Sequence, residues 1–196
     1  MLNILESLRE HQQLIQLLEP LIPKIEKIAI RITEAVLQGG TVFWMGNGGS
    51  AADAQHLAAE LVGRFKKERR AIPSLSLSTD TSVLTCLSND YDYSVIFARQ
   101  LEALCRPGDV VIGLSTSGNS LNVLKGFEMA QQKSAHTIAL TGGTGGKLLA
   151  LALESLIVPS SVTARIQEAH IFLGHVICEW VENAVEHSQK LDSVHA

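Results

Sequence analysis

A glycine-rich turn between an apolar segment and a helix-forming segment constrains the fold of this chain more than any other feature. The turn is GNGGS at residues 46–50. Residues 41–45 before it are apolar and largely β-branched or aromatic, which predicts a buried strand. Asn47 or Ser50 is suited to cap a helix over residues 51–64. Because glycines let backbone N–H groups approach a ligand at a helix N-terminus, this layout predicts an anion-binding site.

The remaining sequence continues the alternation of strands and helices. The other predicted strands are residues 71–78, 110–114, 136–140 and 156–159, and the predicted helices that follow the central unit are residues 81–87, 94–104, 121–132, 147–152 and 163–186. This order predicts an α/β fold with a doubly wound, five-stranded parallel sheet flanked by helices. In such sheets the ligand lies beyond the carboxyl ends of the strands, so the loops after the first and third strands are the candidate site.

Two amphipathic helices are predicted before the first strand, at residues 2–18 and 20–37. They are more than a minimal α/β unit needs, so they are expected either to pack against another subunit or to cover one face of the sheet. The predicted organisation is a single domain in three parts. Residues 1–40 are N-terminal helices that also form a subunit interface, residues 41–187 are the α/β part that contains the sheet, and residues 188–196 are a flexible tail.

Composition excludes several classes of protein. The chain has 196 residues, 46% hydrophobic and 18% charged, with a net charge of −4 and no basic stripe, so nucleic-acid binding is disfavoured. No apolar run approaches the length of a membrane helix, and the first residues are too charged for a signal peptide. Cys86, Cys105 and Cys178 are isolated, which indicates neither a disulfide framework nor a thiolate zinc site. A reduced, cytoplasmic protein is the simplest expectation.

The loop STSGNS at residues 115–120 follows the third strand and opens a helix. Its hydroxyl groups and the helix N-terminus suit a phosphate without any Lys or Arg, which favours phosphate binding over an ordinary polar turn with a serine cap. Two nucleotide-binding motifs fit poorly. The glycine turn lacks an acidic residue at the expected distance for a dinucleotide, and Leu148 stands where a P-loop needs Ser or Thr.

Two pairs of polar residues have spacings that would allow metal binding or proton transfer. His56 and Glu60 lie four apart and share a helix face, and Gln167 and His175 lie eight apart on the last helix. Imidazole and carboxylate groups bind zinc and exchange protons, whereas a carboxamide is an uncommon ligand. Polar residues on the solvent faces of amphipathic helices show the same spacing, so the spacing alone decides neither a metal site nor catalysis.

Further short motifs accompany these features: AELVGR at 59–64, SNDY at 88–91, LTG at 140–142, GGK at 145–147, and ARIQE at 164–168 with His170 and His175. Together with GNGGSAADAQH at 46–56 and STSGNS at 115–120, they resemble the sugar isomerase (SIS) domain family and, within it, the phosphoheptose isomerase group. The resemblance extends in register from about residue 5 to residue 186. Two departures are Trp44, where a smaller residue is usual, and Tyr91-Asp92-Tyr93, where an aromatic residue is usually followed by glycine.

This resemblance implies a homotetramer with active sites between subunits and one Zn²⁺ per subunit. The implied activity is isomerisation of sedoheptulose 7-phosphate to D-glycero-D-manno-heptose 7-phosphate through an enediol, with Glu60 and His175 as the acid–base residues. The implied metal ligands are His56, Glu60, Gln167 and His175. The implied substrate contacts are Asn47, Gly48, Gly49, Glu60, Asn89, Asp90, Ser115, Thr116, Ser117, Ser120 and Gln167, of which the four hydroxyl residues would bind phosphate.

A non-catalytic alternative exists within the same family. One paralogue is a tetrameric regulator that binds the replication initiator protein, and it shares most of these motifs. It typically lacks the residues that match Glu60 and His175, both of which are present here, and it tends to have Thr in place of Gly49. The resemblance therefore favours an enzyme over a regulator or a phosphosugar sensor.

Overall fold

The structure of the protein, a computed structural model, describes residues 3–194. Its centre is a five-stranded sheet in which every neighbouring pair of strands is parallel, in the order β2-β1-β3-β4-β5. The predicted doubly wound α/β sheet is confirmed. The strands are β1 (Val42–Gly46), β2 (Ser74–Ser76), β3 (Val110–Ser115), β4 (His136–Gly142) and β5 (Glu154–Val158).

Seven α-helices are present in the described part of the chain, together with three short 3₁₀ turns. The 3₁₀ turns are Glu19–Leu21, Tyr93–Val95 and Lys147–Ala150. The α-helices are α1 (Ile4–Gln16), α2 (Ile22–Leu37), α3 (Gly49–Val62), α4 (Thr81–Asp90), α5 (Ile96–Leu104), α6 (Leu121–Gln132) and α7 (Thr163–Val194).

The sheet has a separate hydrophobic core on each face, as alternating side chains require. Val42 and Trp44 of β1 enter the core formed with α1, α2, α3 and α7. Phe43 and Met45 enter the core formed with α5 and α6. Trp44, where the resemblance predicted a smaller residue, is fully buried, and its indole Nε1 donates to Ser74 Oγ at 3.0 Å. The large ring is therefore accommodated with its one polar atom paired.

The N-terminal helices cover one face of the sheet. Leu14, Leu18 and Ile28 are buried in that core. However, Ile4 and Leu8 of α1 remain more than half exposed. One of the two alternatives for these helices, coverage of the sheet, is thus observed, and the exposed apolar face remains open to the other.

The largest difference from the predicted elements lies at the C-terminal end of the chain. The last helix was expected to end near Glu186, but α7 continues to Val194. Residues 188–194 of the predicted flexible tail are therefore helical, and residues 195–196 lie outside the described residues. No helix in the described part of the chain combines the length and the apolar character needed to cross a membrane.

Candidate active site

The sheet reverses its winding direction between β1 and β3, because β2 lies on one side of β1 while β3, β4 and β5 follow on the other. The loops at the carboxyl ends of β1 and β3 therefore open into the crevice where doubly wound sheets bind ligands. Helices α3 and α6 both begin at this crevice, at Gly49 and Leu121. The two predicted ligand loops thus lie at one switch point, as expected.

Helix α3 begins without the side-chain cap that the sequence suggested. Its N-cap residue is Gly48, with φ of +57° and no side-chain cap hydrogen bond. Ser50 is buried within the first turn. A Cβ atom added to Gly49 would lie 2.6 Å from Gln167 Nε2, so the Gln167 side chain of α7 packs directly against this turn. No side chain of the described residues caps this helix N-terminus, and the Gln167 carboxamide lies beside it.

The amide of Asn47 pairs with Asn122, a residue that no motif had singled out. Asn47 Nδ2 donates to Asn122 Oδ1 at 2.9 Å, and Asn122 Nδ2 donates to Asn47 Oδ1 at 2.7 Å. This reciprocal pair joins the turn after β1 to the first turn of α6. Only the position of Asn122, one residue after the helix begins, could have suggested such a role from the sequence.

The hydroxyl loop after β3 has a defined conformation. Ser115 Oγ and Ser120 Oγ lie 3.0 Å apart, and the N–H of Asn119 donates to Ser117 Oγ at 3.2 Å. Ser120 is the N-cap residue of α6, yet its hydroxyl makes no capping bond to the helix. The alternative of an ordinary polar turn with a serine cap is therefore not observed, and the Ser115 and Ser120 hydroxyl groups lie together at the helix N-terminus.

A second glycine loop braces the hydroxyl loop. Gly142 N–H donates to Thr116 O at 3.1 Å, and Leu148 N–H donates to Gly118 O at 2.9 Å. Gly118 has φ of +64°, and a Cβ atom there would lie 1.9 Å from Gly145 O. Residues 142–146, which superficially resemble a P-loop, therefore serve here to support the candidate phosphate loop.

Asn89 and Asp90 form the last turn of α4 and are exposed. Asn89 Nδ2 donates to Asp90 Oδ1 at 2.8 Å, and Cys86 Sγ lies 3.5 Å from Asp90 Oδ2. The described side chains give this pair no hydrogen bond to either ligand loop. A role in substrate binding for these two residues stays a prediction.

The polar pairs from α3 and α7 do converge. His56 Nε2 lies 3.1 Å from Glu60 Oε1 and 2.9 Å from His175 Nε2. All three side chains offer ligand atoms within 4.8 Å of one another. The donor set of two imidazoles and one carboxylate fits the three protein ligands of a catalytic zinc site. The family resemblance implied that these three residues meet, whereas their spacing alone did not, because the two helices are more than a hundred residues apart in the chain.

Burial and neighbouring charges favour neutral His175. Burial, followed by the charge of His56, lowers the pKa of the His175 imidazole, and Glu60 opposes this shift. Phe65 stacks on the His175 ring with centroids 5.3 Å apart. A neutral imidazole has a lone pair for a metal or for a proton.

Asp53 is a titratable residue that the sequence analysis missed. It lies on α3 one turn before His56, and burial raises its pKa to about 6, partly offset by His56. Its buried Oδ2 has no hydrogen-bond partner among the described residues. Its three-residue spacing from His56 was the only sequence signal of its position.

Among the described residues, Gln167 makes no hydrogen bond to His56, Glu60 or His175. It lies beside Gly49, whereas His175 is eight residues further along α7, roughly 12 Å in helical rise. A role for Gln167 as the fourth metal ligand therefore stays a prediction. Similarly, His56 lies seven residues beyond Gly49 on α3, about 10 Å along the helix.

Comparison with known proteins gives consistent results. The SIS domain family model matches residues 8–142. The phosphoheptose isomerase of Aquifex aeolicus is 59% identical over 162 residues, which cover 83% of this chain and 85% of that protein. The probable phosphoheptose isomerase of Thermoplasma volcanium is 52% identical over 159 residues, covering 81% of each. The solved structure of phosphoheptose isomerase GmhA from Neisseria gonorrhoeae has a TM-score of 0.87 and 39% identity, covering 92% of this chain and 97% of that one.

Proposed function

This chain belongs to the phosphoheptose isomerase branch of the SIS domain family and is an isomerase, and on that premise we propose that it converts sedoheptulose 7-phosphate to D-glycero-D-manno-heptose 7-phosphate. The observation that carries the proposal is the convergence of Glu60 with His56 and His175. The product would enter ADP-heptose synthesis for the lipopolysaccharide core. The cytoplasm is the proposed location.

The reaction requires proton transfer at two carbons and two oxygens. The C1–H proton passes to a base while the C2 carbonyl oxygen gains a proton, which forms the enediol. A proton is then delivered to C2 as the C1 hydroxyl loses its own. We assign these transfers to Glu60 and His175, because a carboxylate and a neutral imidazole at hydrogen-bonding distance from a sugar can act as base and acid in turn.

One Zn²⁺ per chain is proposed at the same place. His56, Glu60 and His175 would hold it, with Gln167 as the fourth ligand suggested by the family resemblance. When bound, the ion would polarise the sugar oxygens and stabilise the negative charge that develops on them.

The phosphate is assigned to the hydroxyl loop. Ser115, Thr116, Ser117 and Ser120 offer hydroxyl donors at the start of α6. Asn47, Gly48 and Gly49 would hold the sugar through backbone and amide groups, and Asn89 and Asp90 would contact its hydroxyls. This division is supported by the lack of a side-chain capping bond at the N-termini of α3 and α6 among the described residues.

We propose a homotetramer whose active sites lie between subunits. A groove of about 450 Å³ between the N-terminal helices and α7 supports this, since such an apolar surface is usually covered. The separation of the acid–base group from the ligand loops along α3 also suits a site completed by a neighbouring chain. Light scattering on the purified protein measures the assembly. Residues of the groove include Ile15, Leu18, Ile22, Phe172, Val176 and Trp180.

The experiment is a discontinuous assay with sedoheptulose 7-phosphate in three conditions: as purified, with a chelator, and with zinc added back. The proposal predicts heptose 7-phosphate in the first condition, loss in the second and recovery in the third. Activity that survives complete chelation would remove the metal from the proposal. No product in any condition would sink the enzymatic proposal and favour the initiator-binding alternative.

A further inference from the structure

Tyr93 has an exposed aromatic ring, but its hydroxyl group makes a hydrogen bond to a side chain of the candidate site. The ring lies in the 3₁₀ turn Tyr93–Val95 and the residue is 56% exposed. Its hydroxyl nevertheless donates to Asn47 Oδ1 at 2.9 Å, across a separation of 46 residues. An exposed tyrosine normally leaves its hydroxyl to water, so this contact indicates a specific placement over the β1 turn.

The backbone that carries Tyr93 is fixed independently. The Asp92 carboxylate accepts the N–H of Ser94 at 2.8 Å and so caps the 3₁₀ turn. The buried Ser94 hydroxyl accepts from Lys125 Nζ of α6 at 2.6 Å. The ring is thus held at its backbone by α6 and at its hydroxyl by the β1 turn.

The hydrogen bonds of Asn47 leave it one free donor. Its Oδ1 accepts from Tyr93 and from Asn122, which fills the two lone pairs of a carbonyl oxygen. Its Nδ2 donates to Asn122 Oδ1, which also accepts the N–H of Val123 at 3.0 Å. Since that backbone donor fixes the Asn122 amide, the Asn47 amide cannot rotate without losing its bonds. The second Nδ2–H of Asn47 has no partner among the described side chains.

We propose that Tyr93 is a positioning residue of the substrate site, because its hydroxyl saturates Asn47 Oδ1 and leaves Asn47 able only to donate to a sugar oxygen. The inference rests on the proposed function, which places the sugar at Asn47. A donor-only amide selects a sugar oxygen that accepts, such as a carbonyl oxygen, over one that must donate. Without the Tyr93 hydroxyl, water or a sugar hydroxyl can compete for Asn47 Oδ1.

The test removes one oxygen atom. Tyr93→Phe should raise KM for sedoheptulose 7-phosphate roughly 2- to 10-fold, the range for one net hydrogen bond, with kcat changed less than about twofold. The midpoint of urea unfolding should stay unchanged, whereas a purely structural role would lower it. Tyr91→Phe is the matched control: Tyr91 is 63% exposed and its ring faces the Arg99 guanidinium at 5.4 Å. It should leave KM unchanged.

A double-mutant cycle decides whether Tyr93 acts through Asn47. In an Asn47→Ala background, Tyr93→Phe should have no further effect on KM. The same KM increase in that background, or an unchanged KM in Tyr93→Phe alone, would overturn the inference while leaving the isomerase intact. If the wild-type protein turns over no sugar phosphate, the proposed function fails instead. In that case the Kd for sedoheptulose 7-phosphate is measured by calorimetry for the same four proteins. An unchanged Kd in Tyr93→Phe, or no binding to the wild-type protein, would overturn this inference as well.

Discussion

The buried carboxylate of Glu182 gives the sharpest stability prediction. Glu182 is 1% exposed and accepts the backbone N–H groups of Phe65, Lys66 and Lys67 at 2.8, 2.7 and 3.0 Å. Arg69 Nε lies 3.5 Å from the same carboxylate, and the Arg69 side chain is fully buried. One side chain of α7 therefore holds the segment that follows α3.

Glu182→Gln keeps the shape but removes the charge. It leaves the Arg69 guanidinium uncompensated and turns an amide NH₂ towards backbone donors. Loss of one partner from a buried ion pair costs about 3–5 kcal/mol. Arg69 retains its bonds to the carbonyl oxygens of Glu60 and Gly63, so the lower half of that range is expected. For a chain of this size the thermal midpoint should fall by roughly 6–15 °C.

Urea unfolding at a fixed protein concentration measures this loss, since assembly would make stability depend on concentration. The matched control is Glu179→Gln on the same helix. Glu179 Oε1 pairs with Lys66 Nζ at 2.8 Å, but both side chains are substantially exposed. The control should therefore cost no more than about 1 kcal/mol. Equal losses for the two variants would refute the reasoning that burial makes the Glu182 carboxylate important.

Two further predictions follow from particular contacts. Gly118→Ala should raise KM for the sugar phosphate and lower stability, because its Cβ would meet Gly145 O at 1.9 Å. The control is Gly39→Ala, which has φ of +88° but open space around it and should therefore cost only the backbone strain. Equal effects of the two variants would contradict the role of the steric clash at Gly118. Burial lowers the pKa of His170 to about 4, so the unfolded chain binds the proton more tightly and stability should fall as pH drops from about 6.5 to 4. Urea midpoints across that range should show a smaller fall in His170→Gln, and an unchanged slope would remove His170 as the cause.

Local patterns predicted the sheet well. The short apolar segments around Phe43, Val111 and Ile138 are separated by turns and helices, and this pattern predicts buried strands. Parallel connection then follows from the alternation, and the switch point follows from the strand order. The ends of elements were less predictable: nothing in the local sequence marks where α7 stops, so its extension to Val194 was missed.

The site was predictable in its residues but not in its contacts. His56 and Glu60 share a turn of one helix, so their proximity follows from the sequence, whereas their meeting with His175 depends on how α3 packs on α7. That packing is set by small residues, since Leu57 fills the space that a Cβ at Gly174 would occupy. Packing contacts of this kind between helices that are distant in the chain produce no periodic pattern in the sequence. The same reason explains why Asn122 and Phe65 were not anticipated.

The most direct test of the central claim compares the wild-type protein with Glu60→Gln in the sedoheptulose 7-phosphate assay, at equal concentration and equal zinc loading. Loss of the acid–base carboxylate should lower kcat by about 10²- to 10⁴-fold. Circular dichroism should show an unchanged fold, because the described residues give the Glu60 carboxylate no ion pair or side-chain hydrogen bond other than that with the exposed His56. Near-normal turnover in Glu60→Gln would contradict the assignment of proton transfer to Glu60 together with His175.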